Sequence, residues 1–152
     1  MGTCCSKNQV IEYSSTKIFI PPITKAQVIK VYDGDTFTIA VKFPWDNKQY
    51  YRFSVRIKGI DCPEIRTKNA NERYVAKRAQ EFVSKLILYK TVLLKDVKYE
   101  KYGRLCADVF VGKLNLGQSL IAHRLAVEYH GGQRQQPSDW KRYYNTRSRT
   151  TS

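Results

Sequence analysis

From Lys25 onward the chain alternates apolar and polar positions with a period of two, first in "QVIKVYDGDTFTIAVKF" and again in "QYYRFSVRIKGI". This alternation predicts half-buried strands, and "PWDNK" between them, with Pro44 and Asp46-Asn47, predicts a loop. The period then lengthens. In "NANERYVAKRAQEFVSKLILYK", Val75, Ala79, Phe82, Val83, Leu86 and Ile87 recur at helical spacing, with Arg73, Lys77, Arg78 and Lys85 on the wet side. "TVLLKDVKY" and "GRLCADVFV" return to strand character around a tight "EKYG" loop. A second helix fits "LGQSLIAHRLA", with Leu116, Leu120, Ile121 and Leu125 on one face. About five strands, a helix after the third and another after the last predict an α+β fold. The architecture expected is a five-stranded OB-fold β-barrel with two or three covering helices.

The flanks differ in texture. Residues 1–24 are polar and mixed and end in Pro21-Pro22, as a tether would. After Gly131-Gly132 the chain is polar again; "PSDWKRYY" predicts a short helix capped by Ser138, and "NTRSRTTS" a loose basic tail. The division expected is therefore a tether over 1–24, a barrel domain over 25–135 and a basic tail over 136–152.

Charge narrows the choice of partner. The chain of 152 residues carries 27 Lys plus Arg against 13 Asp plus Glu, a net charge of +14. A field of that sign favours polyanions, either nucleic acid or an anionic membrane surface. The first 30 residues hold Lys7, Glu12 and Lys17 and no apolar core of a secretory signal, so Cys62 and Cys106 read as free thiols. A monomer is expected.

Against this basic background, two acidic clusters interrupt the strand pattern. Asp33 and Asp35 flank a glycine in "DGDT", and Asp61 and Glu64 flank Cys62-Pro63 in "RIKGIDCPEIR". Asp-Gly by itself is a strong hairpin signal. Yet carboxylates gathered on a basic protein would repel phosphate unless a cation bridges them, and Ca²⁺ accepts an irregular set of carboxylate and carbonyl oxygens. Asp35, Asp61 and the carbonyl of Cys62 make such a set if the strand end and the loop meet, with Glu64 just outside it beside a water. Arg56 precedes this cluster, and "KYGR", Lys101 to Arg104, adds a second arginine in a loop. Preorganised guanidiniums stabilise the charge that builds on phosphoryl oxygens during phosphodiester hydrolysis. The bland reading of "KYGR" is a hairpin turn with solvated charges.

Taken in order, "DGDT", "RIKGIDCPE", "KYGR" and "IAHRLAVEY" resemble the micrococcal (staphylococcal) thermonuclease family over roughly residues 25–132. The resemblance implies a Ca²⁺-dependent phosphodiesterase on an OB-fold, cleaving DNA and RNA and leaving 3′-phosphate ends. Carried over by position, Asp35, Asp61 and the Cys62 carbonyl would hold Ca²⁺. Glu64 would handle the attacking water, and Arg56 and Arg104 would be the catalytic arginines. Lys101, Tyr102 and Tyr129 would contact substrate. Arg124 stands where many relatives have a helix-ending glycine, so that helix end needs strain or another solution. "QRQQPSDWKRYYNTRSRTTS" lacks a match to the family's last helix. A competing reading is a non-catalytic OB-fold module that holds nucleic acid at a membrane; a third is a lipid-binding or structural protein whose acidic turns are only turns.

"MGTCCSKN" fits the M-G-x-x-x-[ST] pattern through Gly2 and Ser6, which predicts myristoylation at Gly2, and the adjacent Cys4 and Cys5 are candidates of which one or the other is expected to be palmitoylated. A single myristoyl chain binds bilayers only marginally, so a second chain or a basic patch is required. The location expected is the cytoplasmic face of a membrane, or the cytoplasm without acylation.

Overall fold

The computed structural model describes residues 9–146. β1 (Lys25–Val31), β2 (Thr36–Phe43) and β3 (Asp46–Ile57) form an antiparallel meander. The period of two is visible directly: Phe37 and Ile39 are fully buried, whereas Thr38, Ala40 and Lys42 face outward. The expected "PWDNK" loop is shorter than predicted, because Phe43 pairs with Asp46 and β3 starts there. The Asp46 carboxylate secures the tip by accepting from the Tyr51 hydroxyl, the Gln49 amide and the Lys48 N–H. Trp45 stays 63% exposed there, its ring stacked on Phe43 at 4.7 Å.

A short β4 (Ile60–Asp61) leads into α1 (Ala70–Ile87), which Asn69 caps by accepting from the N–H groups of Asn71 and Glu72. Val75, Ala79, Val83 and Ile87 seal the core, as the helical spacing predicts. β5 (Thr91–Tyr99) then pairs with β1, and β6 (Leu105–Val111) pairs with β5. β6 also runs parallel to β3, with Val55 opposite Leu105, and this pairing closes the five long strands into a barrel. β7 (Leu114–Asn115), α2 (Leu116–Ala122), β8 (Val127–Glu128) and α3 (Trp140–Asn145) complete the described residues, with β8 antiparallel to β4.

α2 ends earlier than expected. Arg124 adopts a left-handed conformation (φ 56°), Leu125 N–H bonds the Leu120 carbonyl and Arg124 N–H bonds that of Ile121. This is the Schellman closure usually given to glycine, and the Arg124 guanidinium lies 4.9 Å from the Tyr143 ring. α3 also departs from expectation. Asp139, not Ser138, caps it, and Trp140 is 3% exposed within the main core. Residues 136–145, expected in a tail, thus belong to the packed body.

Candidate active site

The β1–β2 turn exists to bring a backbone very close to two neighbours. A Cβ at Gly34 would lie 2.7 Å from the Ala79 Cβ of α1 and 2.9 Å from the Cys62 Sγ. Glycine is demanded here by space rather than by a positive φ, and β1 and β2 form the hairpin that Asp-Gly signals. That close approach sets Asp35 beside the end of β4. The Cys62 N–H donates to Asp35 Oδ2 at 3.2 Å, and the Thr36 hydroxyl donates to Asp35 Oδ1 at 2.9 Å.

The floor of the resulting cleft consists of three buried charges. Arg56 Nη2 stands 3.0 Å from Asp61 Oδ1 and 3.4 Å from Asp35 Oδ2, and the three residues are 5%, 2% and 8% exposed. One guanidinium against two carboxylates leaves a net negative charge in a poorly solvated place. Gln136 Nε2 donates to Asp61 Oδ2 at 2.8 Å, and Arg134 Nε lies 3.7 Å from Asp61 Oδ1.

The rim is wetter. The Glu64 carboxylate is 53% exposed and ion-paired with the Arg134 guanidinium. Arg104, 31% exposed, is held 2.7 Å from Glu100 Oε2, and Glu100 Oε1 also reaches to 3.9 Å from Arg56 Nε. Glu72 braces the Glu64 loop: its Oε1 accepts from the Glu64 N–H at 3.1 Å and its Oε2 from the Thr67 hydroxyl at 2.7 Å. Floor and rim together enclose a cleft of about 230 Å³.

The structure brings Asp35, Arg56, Asp61, Cys62, Glu64 and Arg104 to this one cleft. Lys101, Tyr102 and Tyr129 do not line it. Lys101 and Tyr102 sit exposed on the β5–β6 turn, with the Tyr102 ring 6.0 Å from the Arg104 guanidinium. Tyr129 is half-buried, its ring 5.4 Å from the Arg56 guanidinium and its hydroxyl donating to the Gly132 carbonyl. Gly2, Cys4 and Cys5 lie outside the described residues.

Among the described residues, no three His, Cys, Asp or Glu side chains gather closely enough to hold one ion. The oxygen set remaining is Asp35, Asp61 and a backbone carbonyl, with Asp33 alongside. Asp33 Oδ1 is buried with no hydrogen-bond partner among the described residues. Burial, then the charges of Asp35 and Glu64, push the Asp33 carboxyl above the usual range. An orphaned carboxylate oxygen and two buried carboxylates lining one cleft are all hard donors, the chemistry that a divalent cation such as Ca²⁺ takes. The Cys62 thiol does not compete as a ligand. Burial, helped by the neighbouring Asp35 and Asp61, raises its pKa well above the ordinary value and keeps it protonated.

Four residues of the site escaped sequence reasoning. Arg134 and Gln136 sit in an aperiodic polar stretch after Gly131-Gly132, which carries no register from which to place them. Glu72 and Glu100 resemble ordinary surface carboxylates of a helix and a strand end. The one available signal was an acid close to each arginine motif.

The family model described as staphylococcal nuclease homologue matches residues 54–149, more than half of the chain. The chain belongs to that family, and its barrel is the one the motifs led us to expect. The match runs through α3 and starts after the Asp33–Thr36 turn, so the structure alone places that turn at the cleft. A thermonuclease of Staphylococcus hyicus is 33% identical over 102 residues, covering 66% of this chain and 56% of the relative. A probable endonuclease of Schizosaccharomyces pombe is 35% identical over 85 residues, covering 51% of this chain and 37% of the relative. An uncharacterized endonuclease of Haemophilus influenzae is 28% identical over 103 residues, covering 68% of this chain and 51% of the relative. The chain thus spans about half the length, or less, of these relatives.

Proposed function

We propose that the chain is a Ca²⁺-dependent endonuclease that hydrolyses phosphodiester bonds of DNA and RNA, leaving 3′-phosphate ends. The observation that carries this reading is one cleft in which two buried carboxylates meet a buried arginine, with Glu64 and Arg104 on the rim. The names of the nuclease relatives support it.

Asp35, Asp61 and the carbonyl of Cys62 would hold Ca²⁺, which when bound supplies positive charge against the scissile phosphate. Glu64 takes a proton from the attacking water, general-base work usually worth about 10² to 10⁴ in rate. To do so it must release Arg134. Arg56, fixed from below by Asp61, aims its guanidinium into the cleft at no reorganisation cost, and Arg104 closes on the developing charge from the rim. Lys101, Tyr102 and Tyr129 flank these arginines and would contact the substrate beyond the scissile bond. The chain would act as a monomer.

The test is digestion of single-stranded DNA and RNA with Ca²⁺ and with EGTA. Degradation that stops on chelation is expected; a protein that binds nucleic acid and cuts it under no divalent ion is instead a binding module. Independently, the melting temperature should rise with calcium, because only the folded chain gathers the ligands.

The sequence of the N-terminus supports a second element of the reading, acylation at Gly2 and at Cys4 or Cys5 that holds the enzyme on the cytoplasmic face of a membrane. A tagged Gly2→Ala variant in eukaryotic cells should leave the membrane fraction. Equal distribution of variant and parent removes the anchor and leaves the nuclease reading intact.

A further inference from the structure

We propose that the tip of the β2–β3 hairpin, together with residues 18–20, is a membrane-docking surface that inserts into the headgroup region of an anionic bilayer. It deepens the anchor element of the reading above, and its test uses protein without acyl groups, so the two can fail separately.

The tip is an aromatic cluster built on one buried ring. Phe43 is buried and carries Trp45 stacked on it at 4.7 Å, Tyr51 at 5.6 Å and Phe53 edge-on at 6.1 Å. With Phe19, these four rings line an open groove of about 570 Å³. The chain just beyond Phe19 is tied down, since Pro21 is buried and Ile23 lies within the main core. Trp45 and Phe19 are nevertheless 63% and 64% exposed, and Ile18 and Ile20 beside Phe19 are exposed too. So many large apolar side chains left in water at one place mark a contact surface.

The surrounding chemistry selects lipid over an apolar protein patch. The segments that build the groove, 17–20 and 42–53, carry Lys17, Lys42, Lys48 and Arg52, all exposed, against the single acid Asp46. That carboxylate is already engaged by the Tyr51 hydroxyl, the Gln49 amide and the Lys48 N–H. Indole and phenol rings with a polar edge, set among long cations, suit the boundary where acyl chains meet anionic headgroups. Position agrees with charge. β2 begins at the cleft with Thr36 and ends at the groove with Phe43, about 20 Å away at roughly 3.3 Å per residue. A bilayer at the tip therefore leaves the cleft open to solvent. The chain that follows Gly2, Cys4 and Cys5 in sequence also arrives at this groove, through Phe19.

The protein supplies its own reporter. Of its two tryptophans, Trp45 stands at the tip and Trp140 is buried in the core. Unacylated protein is titrated with vesicles of phosphatidylcholine and phosphatidylserine, plain or brominated in the acyl chains. The emission should shift to shorter wavelength, and brominated lipid should quench it. Trp45→Phe should bind like the parent and lose the quenching, which assigns the signal to the tip. The double variant Phe19→Ala, Trp45→Ala should weaken vesicle sedimentation by at least about tenfold. Tyr74→Ala on α1, away from the groove, should leave it unchanged. Unchanged melting temperatures verify that the variants fold, and quenching of the parent decides the question without them. The proposal falls if vesicles bind without quenching Trp45, which leaves bulk charge alone as the attraction. It falls too if the emission shifts with protein concentration in the absence of lipid, which makes the groove a contact between two copies. Quenching by oligothymidylate and not by brominated lipid overturns it as well. An unmodified Gly2 found by mass spectrometry in cells would remove the acyl anchor and leave the vesicle result standing.

Discussion

The floor and the rim of the cleft use the same kinds of residue in opposite ways. On the floor, the side chains of Arg56, Asp35 and Asp61 are 6%, 11% and 3% exposed and neutralise each other in part. On the rim, those of Glu64, Arg104 and Arg134 are 53%, 31% and 48% exposed, and each has a partner it can exchange. A buried ion pair that loses one member leaves an uncompensated charge, whereas an exposed pair is worth about 0–1 kcal/mol. The floor is therefore structure and electrostatics at once. The rim is free to serve chemistry without endangering the fold.

The comparison is most exposed to failure at Arg56. Arg56→Ala should unfold more easily by about 3–5 kcal/mol in denaturant melts, because Asp35 and Asp61 lose their countercharge, and should also abolish cleavage. If stability barely moves, the floor is not the coupled unit described. Arg104→Ala and Glu64→Gln sharpen the contrast: each should lower the cleavage rate by about 10² to 10⁴ while the melt stays within about 0.5 kcal/mol of the parent. Gly34→Ala touches no charged atom, yet its added methyl must displace Ala79 or Cys62. A destabilisation of about 1–3 kcal/mol is expected, with activity falling in proportion to the disturbance of Asp35. A smaller effect is expected at Arg134. Arg134→Ala should tighten calcium binding several-fold in a titration, since cation and guanidinium compete for Asp61; weaker binding would show that Arg134 orders the site. The smallest effect lies outside the cleft. Arg124→Gly relieves a left-handed arginine, worth up to about 1 kcal/mol, and loses a ring contact with Tyr143 worth about 0.5–1 kcal/mol. The denaturant midpoint should shift by a few tenths of a kcal/mol at most.

The floor was also the more legible part of the sequence. Its residues sit at strand ends, where a polar side chain breaks a period of two and stands out, as Asp35 does before "TFTIAV" and Asp61 after "VRIKGI". The barrel was legible for the same reason, since the buried Phe37 and Ile39 alternate with the outward Thr38 and Ala40. Rim partners were not. Arg134 and Gln136 arrive from a stretch with no period, positioned by tertiary contacts alone, and Glu72 doubles as a first-turn acid of α1. Trp140 was hidden by its neighbours, because a lone indole among Lys141 and Arg142 reads as a tail until α1 is there to receive it.

The parallel pairing of β3 with β6 has a kinetic consequence. It joins Val55 to Leu105 across α1 and β5, and it is the step that delivers Arg104 to Arg56 and Asp35. The meander of β1 to β3 is assembled from near neighbours and can form early, whereas this contact must await the ordering of the chain in between. Recovery of cleavage during refolding should therefore lag behind the formation of the meander, and report the moment at which the barrel closes.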